Sequence, residues 1–457
     1  MSEPTLAARR YTGSLAIIQT GIQALPERGR AGSKRSRQSV TDERQKLIVK
    51  LATTAGELMM RSGSEVYRVE QTVTRICQAC GVPNAECFAT PTGIFVSVDG
   101  GSTSNQIVTS LKRISSSAID LKRISELHTF SRDFTNTTLG LGAAGERLEN
   151  IAAKPNTYRF PIRLLGAVLV GLFICPYFGA DLKGMCFAGL ASAVGYTVSL
   201  GCQRLQLARF VQILISCAFC TLTALLFLKL FPGEYVRSVI VGAVTVFMPG
   251  VALVNSARDI LSGDMITGMA RATDGVITAL AIAGGSATIM SVWQSFEPTF
   301  SMSPTVYPWP LFFVFGACLT LGFSLIFHAP VRKLAFVSVI GGTGMLVFIL
   351  ISQLTGNSAL ATFIGASCIA TLAEVASRAG REVTTIYIIP GIIPLVPGVM
   401  IFESMSALLT SGVSAAADKA TEALICASCI ALALVLTASV ARLTVATLNR
   451  LKTPNPS

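Results

Sequence analysis

The chain has 457 residues, of which 51% are hydrophobic and only 14% charged, against roughly 25% charged in an ordinary soluble domain. The deficit is uneven: residues 1–160 hold 21 of the 37 Lys and Arg and 14 of the 25 Asp and Glu, and the net charge of +12 divides as +7 before residue 161 and +5 after it. A polar front part is joined to a long membrane part, which excludes a wholly disordered chain and a single soluble enzyme.

Residues 1–40 carry seven basic and two acidic residues. This arm reads as disordered or as lying against anionic lipid, and no aromatic-interleaved nucleic-acid module accompanies it. The apolar run Leu15–Ile18 is too short for a secretory signal. Residues 41–158 read as an α+β cytoplasmic domain. Thr41 and Asp42 are placed to cap a helix over Gln45–Arg61, and Ser62-Gly63-Ser64 breaks it. A second helix carries Val66, Val69, Val73, Ile76 and Cys77 at helical spacing and stops at Gly81, with Pro83 beyond. The period then changes to that of strands at Glu86–Thr90, Gly93–Val98 and Gln106–Ile114, with Asp99-Gly100-Gly101 as a turn. Two amphipathic helices, Ile119–Phe134 and Leu139–Ala153, complete the domain.

Catalysis finds little support here. Glu65, Arg68 and Glu70 share a helix, and Thr90, Thr92 and Ser97 line a hairpin, but Glu65 and Arg68 at this spacing read first as a surface ion pair. There is no Gly-x-Ser-x-Gly elbow, and His128 stands alone on a helix face. The chain is read as a non-enzyme without a cofactor. Of the twelve cysteines, Cys77, Cys80 and Cys87 lie in the polar part, yet only two histidines, His128 and His328, exist to complete a metal site. Reduced thiols without metal are the reading. Cys217, Cys220, Cys426 and Cys429 act as small apolar packing residues.

Ten segments fit the ~20 residues needed to cross a ~30 Å hydrocarbon core. They are Ile162–Ala180, Met185–Gly201, Phe210–Phe231, Val236–Ser256, Ile266–Trp293, Trp309–Ala329, Leu334–Ser352, Ser358–Ser377, Thr385–Leu409 and Glu422–Thr447. With the front domain inside, twelve Lys and Arg lie on the cytoplasmic side and four (Lys183, Lys229, Arg237, Lys419) on the other, which puts both termini in the cytoplasm.

An internal repeat is the most informative feature. Met248-Pro249-Gly250-Val251 recurs as Val396-Pro397-Gly398-Val399, at an offset of 148. At the same offset Val254-Asn255-Ser256 aligns with Phe402-Glu403-Ser404, and Arg271-Ala272-Thr273-Asp274 with Lys419-Ala420-Thr421-Glu422. Five spans per half is an odd number, so the second half enters from the opposite side. The expected fold is therefore mainly α: ten transmembrane helices in two inverted five-helix repeats, residues 159–300 and 301–449, followed by a tail at 450–457.

Pro249-Gly250 falls inside the fourth span, and the ninth carries Pro390-Gly391, Pro394 and Pro397-Gly398. Proline removes a backbone donor, and freed backbone groups are tolerated in a bilayer only where they face protein, water or solute. The candidate substrate pathway is accordingly Pro249, Gly250, Asn255, Ser256, Pro394, Pro397, Gly398, Glu403 and Ser404, with packing kinks as the competing reading. Carboxylates at depth are the candidates for proton or ion coupling: Glu374, Glu403 and Asp274. Asp274 with Arg271, and Glu422 with Lys419, read first as helix-end ion pairs.

Leu58-Met59-Met60-Arg61-Ser62-Gly63-Ser64-Glu65-Val66-Tyr67-Arg68-Val69-Glu70 and Thr90-Pro91-Thr92-Gly93-Ile94-Phe95-Val96-Ser97 resemble the cytoplasmic domain of the threonine/serine exporters. Pro390-Gly391-Ile392-Ile393-Pro394-Leu395-Val396-Pro397-Gly398 is similar to the signature of that family's C-terminal membrane half. The resemblance covers about residues 45 to 450. It implies ten spans in the cytoplasmic (inner) membrane, a cytoplasmic N-terminal domain, and export of L-threonine and L-serine driven by the proton gradient. Related two-subunit proteins are associated with succinate export. Four readings stand: an exporter of hydroxy amino acids, a dicarboxylate exporter, a membrane-tethered hydrolase and a solute sensor. The expected partners are a small-molecule substrate, the lipid bilayer and further copies of the chain, with no nucleic acid.

Overall fold

A computed structural model describes residues 34–82, 84–99, 107–114, 118–136, 140–155, 157–231, 236–294, 305–410 and 412–452. Residues 1–33, Pro83, the Gly100-Gly101 pair expected to turn, residues 295–304 and residues 453–457 lie outside them. The chain divides into two units after Thr157.

In the first unit, α1 (Lys34–Arg61) and α2 (Val66–Ala79) precede a sheet of β1 (Ala85–Thr90), β2 (Gly93–Asp99) and β3 (Ile107–Arg113), and α3 (Leu121–Asn136) and α4 (Leu141–Ala153) follow. The elements match the sequence reading except at the start. Helix α1 begins at Lys34, so Thr41-Asp42 lie inside it and do not cap it. No Gly or Pro interrupts residues 34–55, and the Lys, Arg, Gln and Glu there are good helix formers. Gly63 and Gly81 end the two helices at φ 82° and 85°, a region closed to most L-residues. The sheet is antiparallel in the order β1-β2-β3, with Phe88 opposite Phe95 and Phe95 opposite Leu111. Its inner face, Ile94, Val96 and Val98, is buried with Leu51, Val69 and Val73 of the first two helices.

The second unit is helical. Its elements are α5 (Phe160–Ile174), α6 (Leu182–Arg204), α7 (Arg209–Leu230), α8 (Val236–Val244), α9 (Gly250–Leu261), α10 (Met265–Gln294), α11 (Leu311–Ile326), α12 (Leu334–Thr355), α13 (Ser358–Gly380), α14 (Thr385–Ile392), α15 (Gly398–Thr410) and α16 (Val413–Lys452). Among the described residues, seven helices are long and apolar enough to cross a membrane. Two further candidates are broken: Val236–Phe247 with Gly250–Leu261 bends by 60°, and Thr385–Leu395 with Gly398–Leu408 by 47°. The sixth expected span is the shorter helix Leu311–Ile326. Its 16 residues rise only about 24 Å against a core of ~30 Å.

Helices α5 and α11 pack together where neither has a side chain. A Cβ on Gly166 would lie 2.7 Å from the Gly322 carbonyl oxygen, and one on Gly322 would lie 2.8 Å from that of Gly166. Without a hydrophobic driving force between helices in lipid, such close packing is a main source of association. Gly166→Ala and Gly322→Ala should each destabilise the protein by about 1–3 kcal/mol in detergent. Gly201→Ala, which meets nothing within 4 Å, should be neutral or stabilising. Thermal unfolding of the three variants checks this.

Candidate functional site

The two bends have one local cause. The residue before a proline is pushed to extended backbone, and Met248 (φ −63°, ψ 133°) and Val396 (φ −70°, ψ 133°) obey this rule. A 3-10 turn precedes each: Thr245–Phe247 and Ile393–Leu395. These turns, like the prolines after them, are 148 residues apart. Pro249, Gly250, Pro394, Pro397 and Gly398 are all buried. The breaks therefore turn toward protein, as freed backbone groups require.

The breaks also face one another. A Cβ on Gly250 would lie 2.2 Å from Val396 Cγ1, and one on Gly398 would lie 3.1 Å from Met248 Cβ. Gly250 and Gly398 are repeat equivalents, and so are Met248 and Val396. This reciprocity is the mark of a two-fold relation, in which residue i meets j' and residue i' meets j. It extends outward: α9 packs on α16, and α10 on α15. Ser256 Oγ donates to the Gly268 carbonyl at 2.7 Å, and its equivalent Ser404 Oγ donates to the Ala416 carbonyl at 2.8 Å. Both hydroxyls pin the helix after a break to the next helix. At the start of α9 no side chain caps the helix, so its first N–H groups point into the break.

The carboxylates separate into three settings. Glu403, on α15, accepts from Arg237 Nη2 of α8 and lies 4.0 Å from Lys419 Nζ of α16. Glu374, on α13, takes Arg378 Nη2 at 3.0 Å and Thr384 Oγ1 at 3.1 Å. Asp274, on α10, pairs with Arg209 at 3.0 Å on the surface and not with Arg271. Arg271 instead reaches the buried Asp259 of α9 at 2.7 Å. A buried carboxylate needs a cation far more than an exposed one does, which is why the local pair expected within α10 gives way. The Lys419–Glu422 pair does form, at 3.3 Å. Asn255, the equivalent of Glu403, is half-buried.

Sequence reasoning missed Arg237 and Asp259. Each acts across helices, and spacing along one helix reveals only local neighbours.

In the first unit, Glu65 is buried and not at the surface, with Arg68 Nε donating to it at 2.6 Å. Glu70 accepts the Ala89 N–H of strand β1 at 2.9 Å, and Thr90 Oγ1 bonds the Gly93 backbone. Thr92 Oγ1 lies 3.3 Å from Thr90 Oγ1, and Ser97 pairs with Thr109 on the sheet's outer face. These groups hold the fold. Burial pushes the thiols of Cys77, Cys80 and Cys87 up to about 12, 11 and 12, so they keep their protons at neutral pH. Metal binding needs the thiolate, and among the described residues no group of three or more His, Cys, Asp or Glu can hold a metal.

Two outcomes follow from this geometry. Gly250→Ala should destabilise the protein by about 1–3 kcal/mol, and Val396→Ala in the same chain should restore part of it, because the clash is pairwise; thermal unfolding in detergent reads both. At pH 8 the three thiols should react with a maleimide at least tenfold more slowly in the folded protein than after denaturation. Raising the pH should go on speeding the folded reaction well past the pH at which that of the denatured chain, with thiols near a pKa of about 8.5, levels off, as peptide mapping would show.

The threonine/serine exporter family model matches residues 50–293, and a second model, also described as threonine/serine exporter, matches residues 312–440. A curated relative from Mycobacterium tuberculosis, strain H37Rv, named "Probable threonine/serine exporter", is 25% identical over 402 residues, covering 84% of this chain and 74% of its own. No solved structure matches the chain. Multi-pass, with two facing helix breaks and matched by both halves of the family, the chain belongs to the threonine/serine exporters, a family of membrane transporters.

Proposed function

We propose that the chain exports L-threonine and L-serine across the cytoplasmic membrane, coupled to protons. In this reading all ten candidate segments cross, the broken pairs as single spans and Leu311–Ile326 as the sixth. Two five-span halves then run in opposite senses, with both termini in the cytoplasm. The observation that carries the reading is the meeting of the two proline breaks at repeat-equivalent positions: Gly250 against Val396, and Gly398 against Met248. Broken spans at matching places in two repeats are where transporters of this design hold their solutes.

The pathway comprises Pro249, Gly250, Asn255, Ser256, Pro394, Pro397, Gly398, Glu403 and Ser404. Ser256 and Ser404 spend their protons on backbone carbonyls and so act there as acceptors. Of the coupling candidates Glu374, Glu403 and Asp274, only Glu403 stands on a helix of a broken pair. A dicarboxylate such as succinate calls for uncompensated positive charge. Arg271 is paired with Asp259, and Arg237 and Lys419 each stand beside a carboxylate, Glu403 and Glu422. That balance suits a zwitterion. The front domain serves the transporter and does not act as a separate hydrolase.

Vesicles reconstituted with the full chain and loaded with a panel of solutes provide the test. Threonine and serine should leave faster under an imposed pH gradient, and succinate should not. Glu403→Gln should fold normally and lose at least nine-tenths of the efflux. Full threonine efflux from that variant removes Glu403 from the mechanism, and succinate flux above threonine flux overturns the substrate.

A further inference from the structure

We propose that Arg237 and Glu403 together form the receptor for the two charged ends of an α-amino acid, the guanidinium taking the carboxylate and the carboxylate taking the ammonium. The assignment rests on the function proposed above and names the groups that would recognise its substrate.

The two residues are 166 apart in the chain and belong to different halves. Arg237 is at the start of α8, the first helix of one broken pair, and Glu403 is on α15, the second helix of the other. Arg237 Nη2 donates to Glu403 Oε1. The pair is therefore a bridge between the two broken elements. It is also reachable: the Arg237 side chain is 55% exposed and that of Glu403 17%. Arg237 is the open partner, whereas Glu403 is mostly buried and needs a cation if Arg237 leaves it. A zwitterion entering between the two groups returns an opposite charge to each. Guanidinium matches a carboxylate with two parallel N–H donors. Lys419 Nζ lies 4.0 Å from the second oxygen of Glu403 and 3.3 Å from Glu422. Glu403 thus keeps a cation nearby while Arg237 turns to the ligand.

The repeat shows that the shared Pro-Gly break does not require this pair. The equivalents of Arg237 and Glu403 are Thr385 and Asn255. The same architecture is built in the other half with neutral groups at both places. What the fold needs in each half, the Pro-Gly break and the serine bond to a carbonyl, occurs twice; the ion pair occurs once. A latch between halves would also be a reason for an ion pair, and the test below separates latch from receptor.

The experiment measures inhibition of labelled L-threonine exchange in vesicles holding the full chain. Unlabelled L-threonine, L-threoninamide, which lacks the carboxylate, and 3-hydroxybutyrate, which lacks the ammonium, are the competitors. Thermal shift in detergent with the same compounds reads binding where exchange is slow, and size-exclusion chromatography monitors folding. The wild type should prefer threonine to either analogue at least tenfold. Arg237→Gln should lose the preference over threoninamide and keep that over 3-hydroxybutyrate; Glu403→Gln should do the reverse. The exchanged pair, Arg237→Glu with Glu403→Arg, restores a latch but reverses the receptor, and should stay inactive while folding normally. Recovery of exchange in that double variant overturns the proposal in favour of a latch. So does a wild-type pattern of preferences in both single variants while the wild type moves threonine. A wild type that moves neither threonine nor serine overturns the proposed function itself, and this assignment with it.

Discussion

A peptide group released from a helix inside a bilayer must find protein, water or solute, because hydrocarbon offers it nothing. That constraint organises the membrane unit. Pro249 and Pro397 each deprive a helix of a donor and force the preceding residue out of helical backbone. The resulting gaps are buried, and each is covered by the other: Val396 sits against Gly250, and Met248 against Gly398. A methyl at Gly250 would collide with Val396, and one at Gly398 would press on Met248. The choice of glycine after proline is thus a packing requirement of the partner break as much as a property of its own turn.

Once the breaks face inward, the helices that follow them must be fastened to what surrounds them. Two kinds of fastening are visible. One is neutral and repeated: Ser256 to the Gly268 carbonyl, and Ser404 to the Ala416 carbonyl. The other is ionic and unequal. In the first half Arg271 of α10 reaches the buried Asp259. In the second half its equivalent Lys419 stands between Glu403 and Glu422 at 4.0 and 3.3 Å. A buried carboxylate without a cation would be strongly destabilising, so Asp259 fixes where Arg271 points. Glu403 is under a weaker demand, since it has two cations within reach, and it is correspondingly freer to exchange one of them.

Much of this was legible in the residues. The switch from period 3.6 to period 2 after Gly81 located the sheet, and Gly63 and Gly81 ended their helices as their left-handed backbone demands. The Pro-Gly repeats located both breaks. Three things were not legible, each for a physical reason. Helix α1 starts early because helix formers without Gly or Pro carry it past a credible cap. The sixth span ends short, at Ile326, ahead of a left-handed His328, and apolar composition does not register a local turn. The partners of Glu403 and Asp274 come from other helices, Arg237 at 166 and Arg209 at 65 residues away. Sequence spacing describes one helix surface, and these contacts are made between surfaces.

Comparing the two halves supplies information that a single copy cannot. Where equivalent residues make equivalent contacts, the architecture accounts for them: the extended residue before each proline, the glycine after it, the serine bonded to a carbonyl. Where equivalents differ in charge, the shared design of the breaks does not dictate the difference, and the cause is specific to one half. Asp259 corresponds to Ala407, Glu403 to Asn255, and Arg237 to Thr385. The first of these departures is buried and takes Arg271 from the next helix, as a fixed strut does. The other two pair with each other, Arg237 open and Glu403 mostly buried. That pair links the first helix of one broken element to the second helix of the other, so a change in either break bears on it.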